Sequence, residues 1–371
     1  MAKTNKKFMV LSALGIIMVV DAHCWGALNL FSFFIPYNSF FMPMFVFISG
    51  YFNKIDMNTN MWIYLKRKIK TLLLPYFGIS LAALIIEWLI NCYKLNTAPA
   101  FSITYILKSF KNVYYSGEIT GIAASLWFVP MLFSVQIVYA FLKKALYRQW
   151  NSKEILVFFY TLHFYVVWYA KKYSVEPSKF LLFKILFFLP FIELGIIYRD
   201  ELEARLQKVN HLLLLLILLI INTIRIMIMP SESDIAFNNL STLSGFTSPY
   251  YVTPFISSVI GILFWVEIVD LIGPLFYESR IINYISENTF SIMGFHIVFS
   301  NFLNCILYAI NKIIPITEFD ITKFQRSSMY RWEYFPQFRL AYFLVGLFGS
   351  LALKQIYDCL FKKDISKHTK L

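Results

Sequence analysis

Ten times along this chain of 371 residues, a stretch of some twenty residues runs almost without charge. An apolar run of about 20 residues is the length an α-helix needs to cross the hydrocarbon of a bilayer. Inside lipid the backbone must satisfy its own hydrogen bonds, so few other structures are open to it. The stretches lie at about 8–26, 37–53, 71–93, 122–142, 154–170, 180–198, 211–229, 251–272, 289–311 and 338–358. They predict an all-α, polytopic integral membrane protein with about ten transmembrane helices, residues 1–371 forming a single transmembrane domain. Composition agrees: 58% of residues are hydrophobic and 15% charged, against roughly 45–50% and 25% in soluble domains. The basic segment Met1–Lys7 resembles the start of a signal peptide, but no small-residue cleavage site follows, and it reads as the start of a retained first span.

The same sequence disfavours two other classes. The net charge of +13 invites a nucleic-acid reading, yet the basic residues come in short clusters between apolar segments rather than along one face, so no nucleic-acid partner is expected. Cys24, Cys92, Cys305 and Cys359 have no paired metal spacing, and no metal is expected. The basic clusters serve orientation instead. With an even number of spans, 20 Lys and Arg fall on the side of the termini and 11 on the other, with Lys184, Arg225 and Lys354 inside spans. By the positive-inside rule both termini are expected in the cytoplasm. Three outer loops are long, 94–121, 230–250 and 312–337, and the last carries Phe324, Tyr330, Trp332 and Tyr334 among charges. They read equally as an acceptor cleft or as amphipathic segments on the outer interface.

Ionisable side chains within spans are expensive in hydrocarbon and so mark candidate sites. They are Asp21, His23, Glu87, His163, Lys184, Glu193, Arg225, Glu267 and His296. His23 falls about 15 residues into the first span, roughly 22 Å from its start at 1.5 Å per residue. A neutral imidazole there can take a proton from a hydroxyl near neutral pH; a lone histidine satisfied by a neighbouring helix is the plainer reading. Asp21 points about 200° away round the helix and cannot share a face with it. His296, seven residues into the ninth span, divides evenly between structural and functional readings, whereas His163, with no motif around it, reads as packing. The remaining charges are expected to pair across helices.

Four stretches resemble a known family. Residues 12–23, SALGIIMVVDAH, and 41–52, FMPMFVFISGYF, resemble the first two spans of the membrane acyltransferases of family 3, in their fucose 4-O-acetylase-like branch. Residues 125–133, SLWFVPMLF, resemble the family's Leu-Trp-Phe segment, and 288–296, NTFSIMGFH, its late Asn-Thr-then-His helix. Order and spacing match over most of the chain, least in spans five to eight. One position departs: where the family has Arg or Lys followed by ten residues and then the histidine, this chain has Ser12.

The resemblance implies transfer of an acyl group, usually acetyl, from cytoplasmic acyl-CoA (acetyl-CoA) as co-substrate to a sugar hydroxyl of a capsular or exported polysaccharide, wall glycan or lipid-linked precursor at the plasma membrane. It puts His23 first as the base, with Asp21, Trp127 and His296 as further candidates and Trp127, Ser49 or Asn288 as oxyanion donor. Lys66, Arg67, Lys68, Lys70 and Arg199, with the Ser12 position, are the candidate contacts to the acyl-CoA. The rival is a transporter or flippase of envelope glycans; an inactive relative is the third reading.

Overall fold

A computed structural model describes residues 5–56, 58–95, 102–115, 121–173, 175–228 and 251–368. In chain order the helices are α1 (Lys6–His23), α2 (Tyr37–Tyr51), α3 (Met61–Lys68), α4 (Leu74–Leu95), α5 (Ile103–Tyr115), α6 (Phe128–Leu146), α7 (Ser152–Lys172), α8 (Phe180–Ile197), α9 (Glu203–Leu206), α10 (His211–Ile228), α11 (Thr253–Ile272), α12 (Arg280–Glu287), α13 (Thr289–Asn311), α14 (Ile321–Arg326) and α15 (Phe338–His368). Helix makes up 81% and there is no strand among the described residues. The protein is an all-α polytopic membrane protein. Each of the ten apolar stretches carries a helix, and seven of these helical runs are long and apolar enough to cross a bilayer. The other three are α1, which holds Lys6, Lys7 and Asp21, the 15-residue α2, and α7, with two charges at each end.

Two boundaries differ from the sequence reading. The first helix ends at His23, and residues 24–35 form irregular backbone with left-handed residues at Trp25, Gly26, Asn29 and Phe31. The third begins at Met61, because the Asn60 side chain accepts from the amides of Trp62 and Ile63; α3 then passes through a π-helical turn, Ile69–Leu73, into α4. Lys66, Arg67, Lys68 and Lys70 therefore sit on a helix, not in a loop.

Side-chain contacts define two ends of the bundle. At the N-terminal end the buried Lys7 donates to Tyr198 (2.7 Å) and Asp270 (2.5 Å), and Tyr51 joins them by donating to Glu203 (2.7 Å). The start of α1 is thereby tied to the ends of α2, α8 and α11. Nearby, His211 bonds Glu267 at 2.7 Å; these two and Asp270 bring ligand-type atoms within 4.8 Å of one another, but their bonds to each other and to Lys7 account for the cluster. The expected pairing of buried charges is mostly to neutral partners: Glu193 accepts from the hydroxyls of Tyr139 and Tyr147, and Arg225 from α10 donates to Asn222. His163 donates to the Phe187 carbonyl at 2.8 Å amid the rings of Phe187, Phe191 and Phe255.

Close backbone approach holds the helices in register. A Cβ on Gly50 would stand 2.1 Å from the Ile192 carbonyl oxygen, and one on Gly195 2.1 Å from that of Phe47. So α2 and α8 cross backbone to backbone, the small-residue packing that lipid favours in the absence of a hydrophobic drive between helices.

At the far end, the 312–337 segment is folded into the bundle. Asn301 and Asn304 of α13 donate to the carbonyls of Ser328 and Tyr330, Gln325 donates to the Lys94 carbonyl at 3.0 Å, and Tyr342 of α15 accepts from the Trp332 amide. Phe324 is fully buried. These bonds pin the loop to the bundle, while Ile313, Ile314 and Phe335 on it stay exposed. Of the other two long loops, 94–121 contributes α5, and 230–250 lies outside the described residues.

Candidate active site

The site begins with two helices that meet at histidines. His23 ends α1 and His296 lies in α13, and their ring centroids are 4.9 Å apart with the planes inclined by 59°. In each ring Nδ1 lies 2.8 Å from the carbonyl oxygen four residues earlier, Val19 for His23 and Ile292 for His296. A carbonyl only accepts, so Nδ1 carries the hydrogen and Nε2 presents a lone pair. The Nε2 of His296 is buried without a hydrogen-bond partner; His23 is half-buried, the more accessible of the two. Gly346 lets α15 pass here, since a Cβ on it would come within 3.3 Å of the His296 carbonyl oxygen.

Asp21 is turned away from both rings. Its carboxylate accepts from the amides of Leu28 (2.8 Å) and Asn29 (3.0 Å), and the Tyr37 hydroxyl accepts from the Leu30 amide. These bonds tie the 24–35 loop to the end of α1.

From the 312–337 loop comes Arg331, only 5% exposed. Its Nη1 donates to the carbonyls of Ser328 (3.4 Å) and Tyr330 (2.7 Å), and the guanidinium lies 5.4 Å from the centroid of the Tyr342 ring. Nε and Nη2 have no hydrogen-bond partner. The guanidinium is within electrostatic reach of both imidazoles and beside the Cys24 thiol.

Trp127 closes the 3-10 helix Gly121–Trp127, which Ser125 pins to α13 by donating to the Met293 carbonyl at 2.6 Å, one turn before His296. Lys184 of α8 stands over the Trp127 ring at 4.7 Å. Trp127 is thus in the same layer as the histidines, engaged with a cation. Asn288, at the start of α13, donates to the Tyr284 carbonyl.

A second polar site lies at the N-terminal end. A cavity of about 280 Å³ is lined by Ser49, Phe52, Asn53, Lys54, Tyr64, Arg67 and Lys68. Among the five basic candidates, Arg67 and Lys68 line it; Lys66 is exposed over Trp62 and Lys70 is exposed. Arg199 is committed to the wall, donating to the carbonyls of Tyr51 and Asn53 and to Asp200. Ser12 is half-buried on α1 between the two sites. Eleven residues separate it from His23, which puts the two on nearly one helix face and about 16 Å apart along the axis.

Sequence reasoning did not single out Arg331 or Lys54. Arg331 carries no periodic signal; its one clue was a cation in a long, aromatic-rich loop.

No curated protein and no solved structure matches the chain. The sequence profile of an acyltransferase domain matches residues 8–357, nearly the whole length and everything that builds the paired histidines. Acyl transfer is the activity that domain carries, and the chain belongs to acyltransferase family 3.

Proposed function

We propose that this protein transfers an acyl group, acetyl being the first to test, from acyl-CoA to a sugar hydroxyl of an exported or surface glycan or its lipid-linked precursor at the plasma membrane. The observation that carries the reading is the free Nε2 lone pair of His23, aligned by its own helix and backed by His296. With Nδ1 held as a donor, Nε2 is left to accept a proton, as a general base must.

Acyl-CoA is a substrate here, and the cavity at the N-terminal end suits its phosphates: Arg67 offers a planar fork and Lys54 and Lys68 compact charges. Phe8 of α1 stacks on Tyr51 at the end of α2, with centroids 3.8 Å apart. The cavity wall at Ser49–Asn53 is therefore level with the start of α1, about 20 Å below His23 at 1.5 Å per residue. An extended pantetheine arm covers that length, and Ser12 lies along the way. The positive-inside count makes the cavity end cytoplasmic and the end covered by the 24–35 and 312–337 loops external.

The chemistry follows. The sugar hydroxyl gives its proton to His23 Nε2 as its oxygen attacks the thioester carbonyl. The tetrahedral intermediate collapses, the carbon–sulfur bond breaks, and the imidazolium returns the proton to the departing CoA sulfur. The products are the O-acyl sugar and free CoA. A flippase needs none of this. The test is to compare the acyl content of surface glycans, by NMR, from cells with and without the gene, together with acetyl-CoA consumption by the purified protein in detergent. Loss of one acyl group in the first and turnover in the second are expected. Unchanged glycan acylation and no turnover would move the transporter reading to the front.

A further inference from the structure

We infer that Arg331 is the oxyanion donor of the site, its free Nε–Nη2 edge binding the carbonyl oxygen of the acyl thioester as negative charge develops there. The inference rests on the acyl-transfer reading above and adds a residue to it.

Acyl transfer needs a base for the hydroxyl and a donor for the carbonyl oxygen, because the charge that forms there is stabilised by preorganised hydrogen bonds. Both imidazoles spend their Nδ1 hydrogen on a helix carbonyl, so each turns only a lone pair toward the site. Neither can donate to an oxyanion while it serves as base. Ser49 is remote, in the wall of the basic cavity, Asn288 uses one of its two amide hydrogens on Tyr284, and Trp127 offers a single neutral N–H, whereas a guanidinium offers two charge-assisted donors to one oxygen.

Arg331 fits what remains. It is buried in the cover of the site, where a lone guanidinium with unused donors is costly. Nη1 is anchored by two carbonyls of its own loop, and the Tyr342 ring lies near the guanidinium, so the group is held before substrate arrives. The two unused donors, Nε and Nη2, form the side-on fork of the guanidinium, which grips an oxygen with two parallel hydrogen bonds. Its described hydrogen-bond acceptors are the two backbone carbonyls, with no carboxylate among them.

The experiment has two arms. In the first, acetyl-CoA turnover is measured for wild type, Arg331→Lys and Arg331→Gln, with folding checked by monodispersity and melting. Loss of an oxyanion donor predicts a fall in kcat of about 10²- to 10³-fold for Arg331→Gln, with KM for acetyl-CoA nearly constant and Arg331→Lys intermediate. In the second, which does not need an Arg331 variant to fold, His23→Gln protein is loaded with acetyl-CoA isotope-labelled at its carbonyl carbon. The infrared carbonyl band is expected to move to lower frequency on binding. A folded Arg331→Gln protein with wild-type kcat, one in which only the KM for the sugar acceptor rises, or a bound but unshifted carbonyl overturns the assignment and leaves the acyl-transfer reading standing. A wild type that neither binds nor turns over acetyl-CoA overturns both.

Discussion

Replacing Asp21 by Ala should open the 24–35 loop while leaving the helix bundle assembled. The carboxylate is fully buried and accepts from the Leu28 and Asn29 amides. Hydrogen bonds to a charged group contribute about 1.5–3 kcal/mol each, so the two together hold the loop by about 3–6 kcal/mol. Against them stand three non-glycine residues with positive φ, Trp25 at 60°, Asn29 at 52° and Phe31 at 53°. Left-handed backbone costs roughly 1–2 kcal/mol at each, again about 3–6 kcal/mol in all. The two sums are comparable, so without the carboxylate the loop gains by relaxing and has little reason to stay. Global unfolding is not expected, since the Lys7 network and the Gly50–Gly195 crossing lie elsewhere. The assay is hydrogen exchange of the peptide covering 24–35. At 1.4 kcal/mol per tenfold, protection should fall by about 10²- to 10⁴-fold. Asp21→Asn, which keeps one accepting oxygen, should fall between. Equal protection in Asp21→Ala and wild type would refute the reasoning.

Four further outcomes are expected. Gly50→Ala places a methyl 2.1 Å from a backbone oxygen and should lower stability by about 1–3 kcal/mol or more, read as a lower melting temperature at unchanged membrane insertion. Arg67→Gln with Lys68→Gln should raise KM for acetyl-CoA, and the gap to wild type should close as ionic strength rises, whereas Lys66→Gln with Lys70→Gln should change it little. Asp320 caps α14 by accepting from the Lys323 amide, which holds its carboxyl below the usual carboxylate range. A depressed folded pKa means the cap's stabilisation is present above the ordinary carboxylate pKa and is lost as pH falls through the folded value. Protease cleavage within 320–327 should therefore increase only on strong acidification, and at neutral pH in Asp320→Ala. Thr322→Cys should be labelled by an impermeant reagent from outside cells and Lys208→Cys only after permeabilisation; the reverse pattern would invert the topology.

How much of this was legible in the sequence depends on whether a feature is local. The apolar runs are local, and all ten stretches hold helices. His23 and His296 were visible as polar residues in apolar company, but that they face each other is a matter of how α1 and α13 pack. The helix end at His23 was missed because the loop after it, Cys24–Ile35, is itself apolar; only Asp21 reaching the Leu28 and Asn29 amides reveals the break. The basic run at 66–70 read as a loop because charge ends a hydropathy window, while Asn60 had already started the helix. Once helical, its members separate: Lys66 and Lys70, four apart, are exposed and do not line the cavity, while Arg67, also exposed, and the half-buried Lys68 do. Arg331 was counted as one more outer charge, since a guanidinium buried by tertiary contacts with α13 and α15 leaves no pattern along the chain.

The central claim is that His23 Nε2 takes the hydroxyl proton, and the most direct measurement is acetyl-CoA turnover by His23→Gln protein. Glutamine keeps much of the size and hydrogen-bonding capacity of histidine but cannot take up the proton. Loss of a general base is expected to lower the rate about 10²- to 10⁴-fold while melting temperature and acetyl-CoA binding stay near wild type. A folded His23→Gln protein that turns over acetyl-CoA at the wild-type rate would contradict the account.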